Sequence, residues 1–167
     1  MRFTTVTLSF VLALAFLAPK TVHADVAVAA DMTKAAGDFL VSLNPEQKAK
    51  ATFELKSDER ENWHFIPKDR NGLPFKQMTG PQRELAKKLL QSALSKEGYG
   101  KVTNIMSLEL VLFDLENKNS KRDAELYFVS IFGKPARNGT WGWRVEGHHM
   151  SANFTVVTGK EVSGTPS

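Results

Sequence analysis

The residues best suited to chemistry in this chain are histidines, because the sequence contains no cysteine. His148 and His149 are adjacent, and His64 lies far upstream. Imidazole and carboxylate groups bind divalent metals, and a catalytic zinc site typically uses three protein ligands and leaves a fourth position for water. His64, His148 and His149 are therefore candidate ligands for a divalent metal, although no helix-borne HExxH spacing accompanies them.

A short polar row precedes the histidine pair. Arg144, Glu146 and His148 alternate, so on a strand they share one face, and such a row can bind an anion or transfer a proton. Together with His149 they form the candidate catalytic set. The same alternation is typical of cross-strand ion pairs on an exposed sheet face, which is the interpretation we favour.

The backbone near Gly147 decides whether both imidazoles can reach one ligand. Successive side chains of a regular strand point to opposite faces. The apolar residues occupy odd positions up to Val145 and even positions from Met150 onwards. This exchange of faces indicates a bulge or a tight turn near Gly147-His148, which would bring the two imidazoles together.

Aromatic side chains offer a second kind of site. Trp63, Trp141 and Trp143, with Asn153, are candidates for a stacking platform that binds sugars or other rings, in an unidentified small molecule or a component of the cell envelope. Large aromatic side chains also dominate the buried area of a core, and a small domain without disulfides needs them there. We therefore favour core placement for most of the tryptophans.

The first 24 residues have the order typical of a secretory signal peptide. Arg2 is followed by an apolar run over residues 6–18 and by small residues ending at Ala24. The run is shorter than the roughly 20 apolar residues that span a bilayer. We therefore expect cleavage after Ala24, a secreted or periplasmic protein, and no stable membrane span after the signal is removed.

The charge of the chain argues against a nucleic-acid partner. Removal of residues 1–24 takes away Arg2 and Lys20 but no acid, so the formal net charge falls from +4 to +2. The remaining basic residues are interspersed with acids and form no basic stripe, which a nucleic-acid-binding surface requires.

Periodicity predicts helices in the first two thirds of the chain and strands at the end. Asn44 and Pro45 favour the start of a short helix, Thr79 and Gln82 form a capping box, and Gly98 is expected to end a helix. The ranges with helical spacing are 32–43, 45–51, 79–97 and 102–116, and those with strand patterns are 126–132, 141–146 and 149–157.

Residues 52–78 are rich in turn-forming residues, and we expect an ordered, irregular segment whose large apolar side chains lie mostly inside. Helix 102–116 is apolar on much of its circumference, which predicts contact on more than one side. The sequence therefore predicts one α+β domain over residues 25–167, with amphipathic helices packed on a short antiparallel sheet formed by the C-terminal strands.

Four segments of the chain form a recognisable set of motifs. They are Trp63-His64-Phe65-Ile66-Pro67, Arg70-Asn71-Gly72-Leu73-Pro74, Ile105-Met106-Ser107-Leu108 and residues 141–155. These motifs resemble those of an exported family, the domain-of-unknown-function family 3500. The resemblance covers the chain from about residue 30 to the end. Members of that family continue past the position of Thr165-Pro166-Ser167, so the resemblance implies that this chain is the front part of a longer domain. It implies no activity.

Two hypotheses of function follow. The first is an exported, metal-dependent, hydrolase-like enzyme centred on His148, His149, Glu146 and His64. The second is a non-catalytic secreted or periplasmic ligand-binding protein that uses the region of the C-terminal tryptophans. We favour the enzyme, because polar residues collect at one bend.

Overall fold

The computed structural model describes residues 26–166, in which helices pack against one mixed β-sheet. The predicted signal peptide and its cleavage site lie outside the described residues. The helices are α1 (Val26–Ser42), α2 (Pro45–Ala51), α3 (Gly80–Ala93) and α4 (Lys96–Leu115). The strands are β1 (Thr52–Phe53), β2 (Leu73–Pro74), β3 (Phe128–Phe132), β4 (Trp141–Gly147), β5 (Met150–Val157) and β6 (Glu161–Pro166). The predicted α+β class is confirmed.

Side-chain caps fix the starts of α2 and α3. The Asn44 side chain accepts from the Gln47 backbone at 2.9 Å, and the Thr79 hydroxyl accepts from the Gln82 backbone at 3.4 Å. The Gln82 side chain accepts from the Thr79 N–H at 2.8 Å, which completes the predicted capping box. Local residue chemistry therefore places both helix starts correctly.

The other helix boundaries differ from the predictions. α1 begins at Val26, because the alanine-rich residues before 32 favour a helix. α3 ends at Ala93, and Ser95 then caps α4 by accepting from the Gly98 N–H at 3.1 Å. Gly98 is thus inside the first turn of α4, and the prediction that it ends a helix is wrong.

α4 is more exposed than its sequence predicts. Within this helix only Val102 and Glu109 are buried, so the expected contact on several sides is wrong. Large apolar side chains of the helix are open to solvent, namely Leu108, Leu110, Val111 and Leu115. One acidic residue is therefore buried on a helix that leaves much of its apolar surface exposed.

The strands follow the order β1-β3-β4-β5-β6, with β2 paired to β3. β1 is parallel to β3 and the remaining pairs are antiparallel, so the sheet as a whole is mixed, and its C-terminal strands β3 to β6 are antiparallel as predicted. The prediction did not include β6, because its few apolar residues give no alternating pattern. It pairs with β5 along the whole of its length.

The two faces of the sheet have different partners. Trp141, Trp143 and Val145 join the helices in one apolar core, which also contains Phe39 and Leu89. Residues between them in β4 point to the opposite face. That face is covered by the irregular segment between β1 and β2, here called the covering segment (residues 54–72), because side chains of β4 bond to it.

Two of the three tryptophans, Trp141 and Trp143, lie in the core as expected. Trp141 and Trp143 are 0% and 1% exposed, and the Trp143 ring stacks on Phe154 with 4.7 Å between centroids. Neither indole can form a surface stacking platform in this position. Trp63 and Phe65 of the covering segment are 38% and 61% exposed, so the expectation that its large apolar groups lie inside is wrong for them.

Among residues 26–166, no helix has both the length and the apolar character that a membrane crossing requires.

Candidate functional site

A tight turn of two histidines joins β4 to β5. Gly147 pairs with Met150, which leaves His148 and His149 as the turn. His149 has a φ of 56°, in the left-handed region that a non-glycine residue seldom adopts, and its N–H donates to the Phe65 carbonyl at 2.9 Å. The two imidazole centroids are 4.0 Å apart. The predicted bend is confirmed, and it brings the two rings together.

Tyr127 fixes this turn from one side. A Cβ added at Gly147 would collide with the Tyr127 ring, so the glycine makes room for the ring. The Tyr127 hydroxyl donates to the His148 carbonyl at 2.9 Å. Burial, aided by the negative charge of Glu109, raises the pKa of Tyr127, so the phenol stays a neutral hydrogen-bond donor. No spacing or motif in the sequence marks Tyr127 as part of a site.

His148 pairs with a carboxylate that sequence reasoning missed. Its Nδ1 is in close contact with Oε1 of Glu109, and the two side chains are 11% and 4% exposed. Glu109 is the single charged residue in the apolar run 105–113 of α4. A charge at that place is the one sequence signal that could have indicated it. The pair joins the centre of α4 to the β4–β5 turn.

A second ion pair extends this contact. Arg122 Nη1 lies 3.2 Å from Nδ1 and 3.4 Å from Nε2 of His148, and the same guanidinium bonds to Glu116 at 2.7 and 2.9 Å. The hydrogen bond from Arg122 lowers the pKa of Glu116. Glu109, His148, Arg122 and Glu116 therefore form a continuous polar chain, here called the histidine network.

The histidine network borders a cavity of about 380 Å³, here called the histidine cavity, which is near the lower limit for small-molecule pockets. The polar and aromatic residues in its wall are Lys68, Asp69, Arg70, Glu109, Lys121, Asp123, Tyr127, Phe128 and His148. Asp123 pairs with Lys76 and Glu109 with His148, whereas Lys68 and Lys121 form no ion pair within residues 26–166. Two ammonium groups in this wall are thus available to a ligand.

His64 is not part of this cluster. Its Nε2 lies 3.0 Å from Asn62 Oδ1, within the covering segment. In the part of the chain that the structure describes, no three His, Asp or Glu side chains are arranged to hold a metal ion. The predicted convergence of His64, His148 and His149 on a divalent metal is therefore not found.

Arg144 and Glu146 lie beneath the covering segment and are both 0% exposed. Arg144 Nη2 lies 2.6 Å from Glu59 Oε1 and 2.7 Å from Glu146 Oε1, and Nη1 donates to the Glu59 carbonyl at 2.6 Å. The expectation that they form ion pairs on an exposed sheet face is wrong, because the covering segment encloses them. Neither residue lines the histidine cavity.

Arg70 joins the buried charges to the turn. Its Nε lies 3.3 Å from Glu146 Oε2, and its Nη2 donates to the carbonyls of His64 and Ile66 at 2.7 Å and of Gly147 at 3.2 Å. Arg144, Glu146 and Arg70 thus hold the covering segment against the histidine turn. Arg144 and Glu146 therefore position the covering segment and do not contact a ligand in the histidine cavity.

A second cavity, of about 300 Å³, lies at the β5–β6 end of the sheet. Of the four predicted ligand-binding residues, Trp63, Trp143 and Asn153 line this sheet cavity and Trp141 does not. The Asn153 amide donates to the Ser151 hydroxyl at 2.8 Å. The other polar lining residues of the sheet cavity are Arg60, Glu61, Thr155, Ser163 and Thr165.

The buried charges predict a pH dependence of stability. Burial opposes ionisation of Glu59, but hydrogen bonds from Asn62, Asn71 and Arg144 outweigh it and lower the pKa below the usual 4.5. Its stabilising contribution is therefore present above pH 4.5 and is lost as the pH falls through the folded-state pKa. We expect Glu59→Gln to reduce the slope of unfolding free energy against pH below 4.5, measured by urea titration.

The matched control is Glu61→Gln, an exposed acid two residues away. It should leave the slope as in the wild type. An unchanged slope in Glu59→Gln would contradict the assignment.

A family model described as Protein of unknown function (DUF3500) matches residues 25–167. No curated protein and no solved structure matches the chain.

Proposed function

This chain belongs to the family described as Protein of unknown function (DUF3500), and we propose that it is an exported enzyme with general acid–base chemistry at the histidine cavity. The observation that carries the proposal is the contact between Glu109 and His148 in the wall of that cavity. A carboxylate that accepts from one imidazole nitrogen fixes the tautomer and orients the ring. The second nitrogen can then accept and return a proton.

The strained turn supports the same assignment. A left-handed φ at a histidine costs of order 1 kcal/mol and persists where the surroundings impose it. Here the Phe65 carbonyl binds the His149 N–H and Tyr127 binds the His148 carbonyl. The turn therefore fixes the backbone of His148, and the Glu109 contact orients its ring, as a proton-transferring group requires.

The proposed reaction class is hydrolysis of a small substrate. His148 Nε2 removes a proton from a water molecule, the water oxygen forms a bond to the electrophilic carbon, and the imidazolium returns the proton to the leaving group as its bond breaks. The ammonium groups of Lys68 and Lys121 would stabilise the negative charge that develops on the substrate oxygen.

The test is hydrolysis of p-nitrophenyl acetate and p-nitrophenyl butyrate by the purified mature protein. We expect His148→Gln to lower kcat/KM about 100-fold, because proton transfer by a positioned side chain contributes about that factor or more. The control His64→Gln removes an imidazole outside the cavity and should retain the wild-type rate. Equal rates for His148→Gln and the wild type, or no hydrolysis by the wild type, would overturn the proposal for these esters.

Export rests on the sequence of residues 1–24. The proposal is that cleavage after Ala24 releases residues 25–167 as one α+β domain. Edman sequencing of protein recovered from the periplasm or medium should begin at Asp25. Recovery of the chain only inside cells, with Met1 retained, would contradict export.

The alternative, a non-catalytic ligand-binding protein, is favoured by one observation of its own, the sheet cavity with Trp63 at its rim.

A further inference from the structure

We propose that the sheet cavity binds a neutral carbohydrate, at a site separate from the histidine cavity. The two cavities share no lining residue. The proposal therefore stands or falls independently of the hydrolytic activity.

The floor of the sheet cavity presents small polar side chains in a regular array. Asn153 pairs directly with Thr165, and Thr155 with Ser163, across β5 and β6. Directly paired residues share a face, and alternate residues along a strand are about 7 Å apart. Hydroxyl and amide groups therefore form two cross-strand rows on this face. Such groups both donate and accept hydrogen bonds, as sugar hydroxyls do.

Several polar atoms of these rows have no protein partner. The Asn153 amide nitrogen donates to Ser151, but its Oδ1 accepts no hydrogen bond within residues 26–166. The hydroxyls of Ser163 and Thr165 form no hydrogen bond there either, and both residues are exposed. Acceptors and donors on a rigid sheet are thus available to a ligand without prior rearrangement.

Trp63 supplies an apolar surface beside these rows. It lines the cavity and is 38% exposed, whereas the other two tryptophans are in the core. A large aromatic side chain with this exposure loses part of the stabilisation that full burial would give. The flat face of its indole is suited to stacking on the C–H face of a sugar ring. An aromatic face beside hydroxyl and amide groups matches the amphipathic surface of a saccharide.

The charges at the rim favour a neutral ligand. Arg60 and Glu61 are adjacent and carry opposite charges, so they contribute no net charge to the cavity. Arg60 Nη2 donates to the Thr155 hydroxyl at 2.9 Å, which holds the guanidinium at the wall. The Glu61 carboxylate has no ion pair among the described residues and can accept from ligand hydroxyls.

The experiment measures binding of cellohexaose, maltohexaose and chitohexaose to the mature protein by isothermal titration calorimetry. We expect at least one of them to bind with a Kd of about 1 mM or tighter. Trp63→Ala should weaken that binding about tenfold, because aromatic stacking contributes about that factor. Ser163→Arg should abolish it, because the long side chain fills the cavity from an exposed position.

The matched control is Phe65→Ala, which removes an exposed aromatic ring of the same covering segment that does not line the cavity. It should bind as the wild type does, as should His148→Gln. Absence of binding for all three oligosaccharides would overturn the proposal. Binding that is unchanged in Trp63→Ala and Ser163→Arg would also overturn it, since the sugar would then be bound elsewhere.

Discussion

Replacing Arg144 by methionine is expected to lower the free energy of unfolding by about 3–5 kcal/mol, the cost of removing one partner from a buried set of charges. Arg144 is 0% exposed and faces the carboxylates of Glu59 and Glu146 at 2.6 and 2.7 Å. Methionine fills much of the same volume but cannot neutralise either acid. Urea unfolding at pH 7, followed by circular dichroism, measures the change.

The control for this prediction is Lys34→Met, which removes the cation of an exposed ion pair with Asp38 on α1. Exposed pairs contribute about 0–1 kcal/mol, so the control should have nearly wild-type stability. If Arg144→Met lost no more stability than Lys34→Met, the buried charges would not be what holds the covering segment to the sheet.

Glu109→Gln is expected to lower kcat/KM for p-nitrophenyl acetate about 100-fold, if the proposed function holds. Glutamine keeps the size of Glu109 but presents no negative charge to His148, so it neither fixes the tautomer nor stabilises the imidazolium formed during the reaction. Both kcat and KM should be recorded, because loss of an interaction made only in the transition state lowers kcat and leaves KM unchanged.

The control lies on the same helix. Asp114→Asn removes an exposed acid of α4 that pairs with Lys118 and does not line the histidine cavity. It should leave kcat and KM unchanged. Equal rates for Glu109→Gln and Asp114→Asn would contradict a role for Glu109 in orienting His148, whatever the stability of the two variants.

The substituted residues Arg144 and Glu109 both lie within the part of the chain that the family model matches. The matched residues 25–167 contain both the histidine network and the covering segment.

The sequence by itself determined the features that depend on neighbouring residues. The helix start at Asn44, the capping box at Thr79, the strand pattern of β4 and the bend beside the histidine pair were all predicted correctly. Each depends on hydrogen bonds or side-chain alternation within a few residues, so the information lies in the local spacing.

Only the tertiary structure decided which side chains meet. Glu109 reaches His148 across 39 positions of the chain, and Glu59 reaches Arg144 across 85. Alternation places Arg144 and Glu146 on one face of β4, but it does not say whether water or another segment covers that face. A buried ion pair and an exposed one have the same sequence pattern, and they differ only in what packs over them.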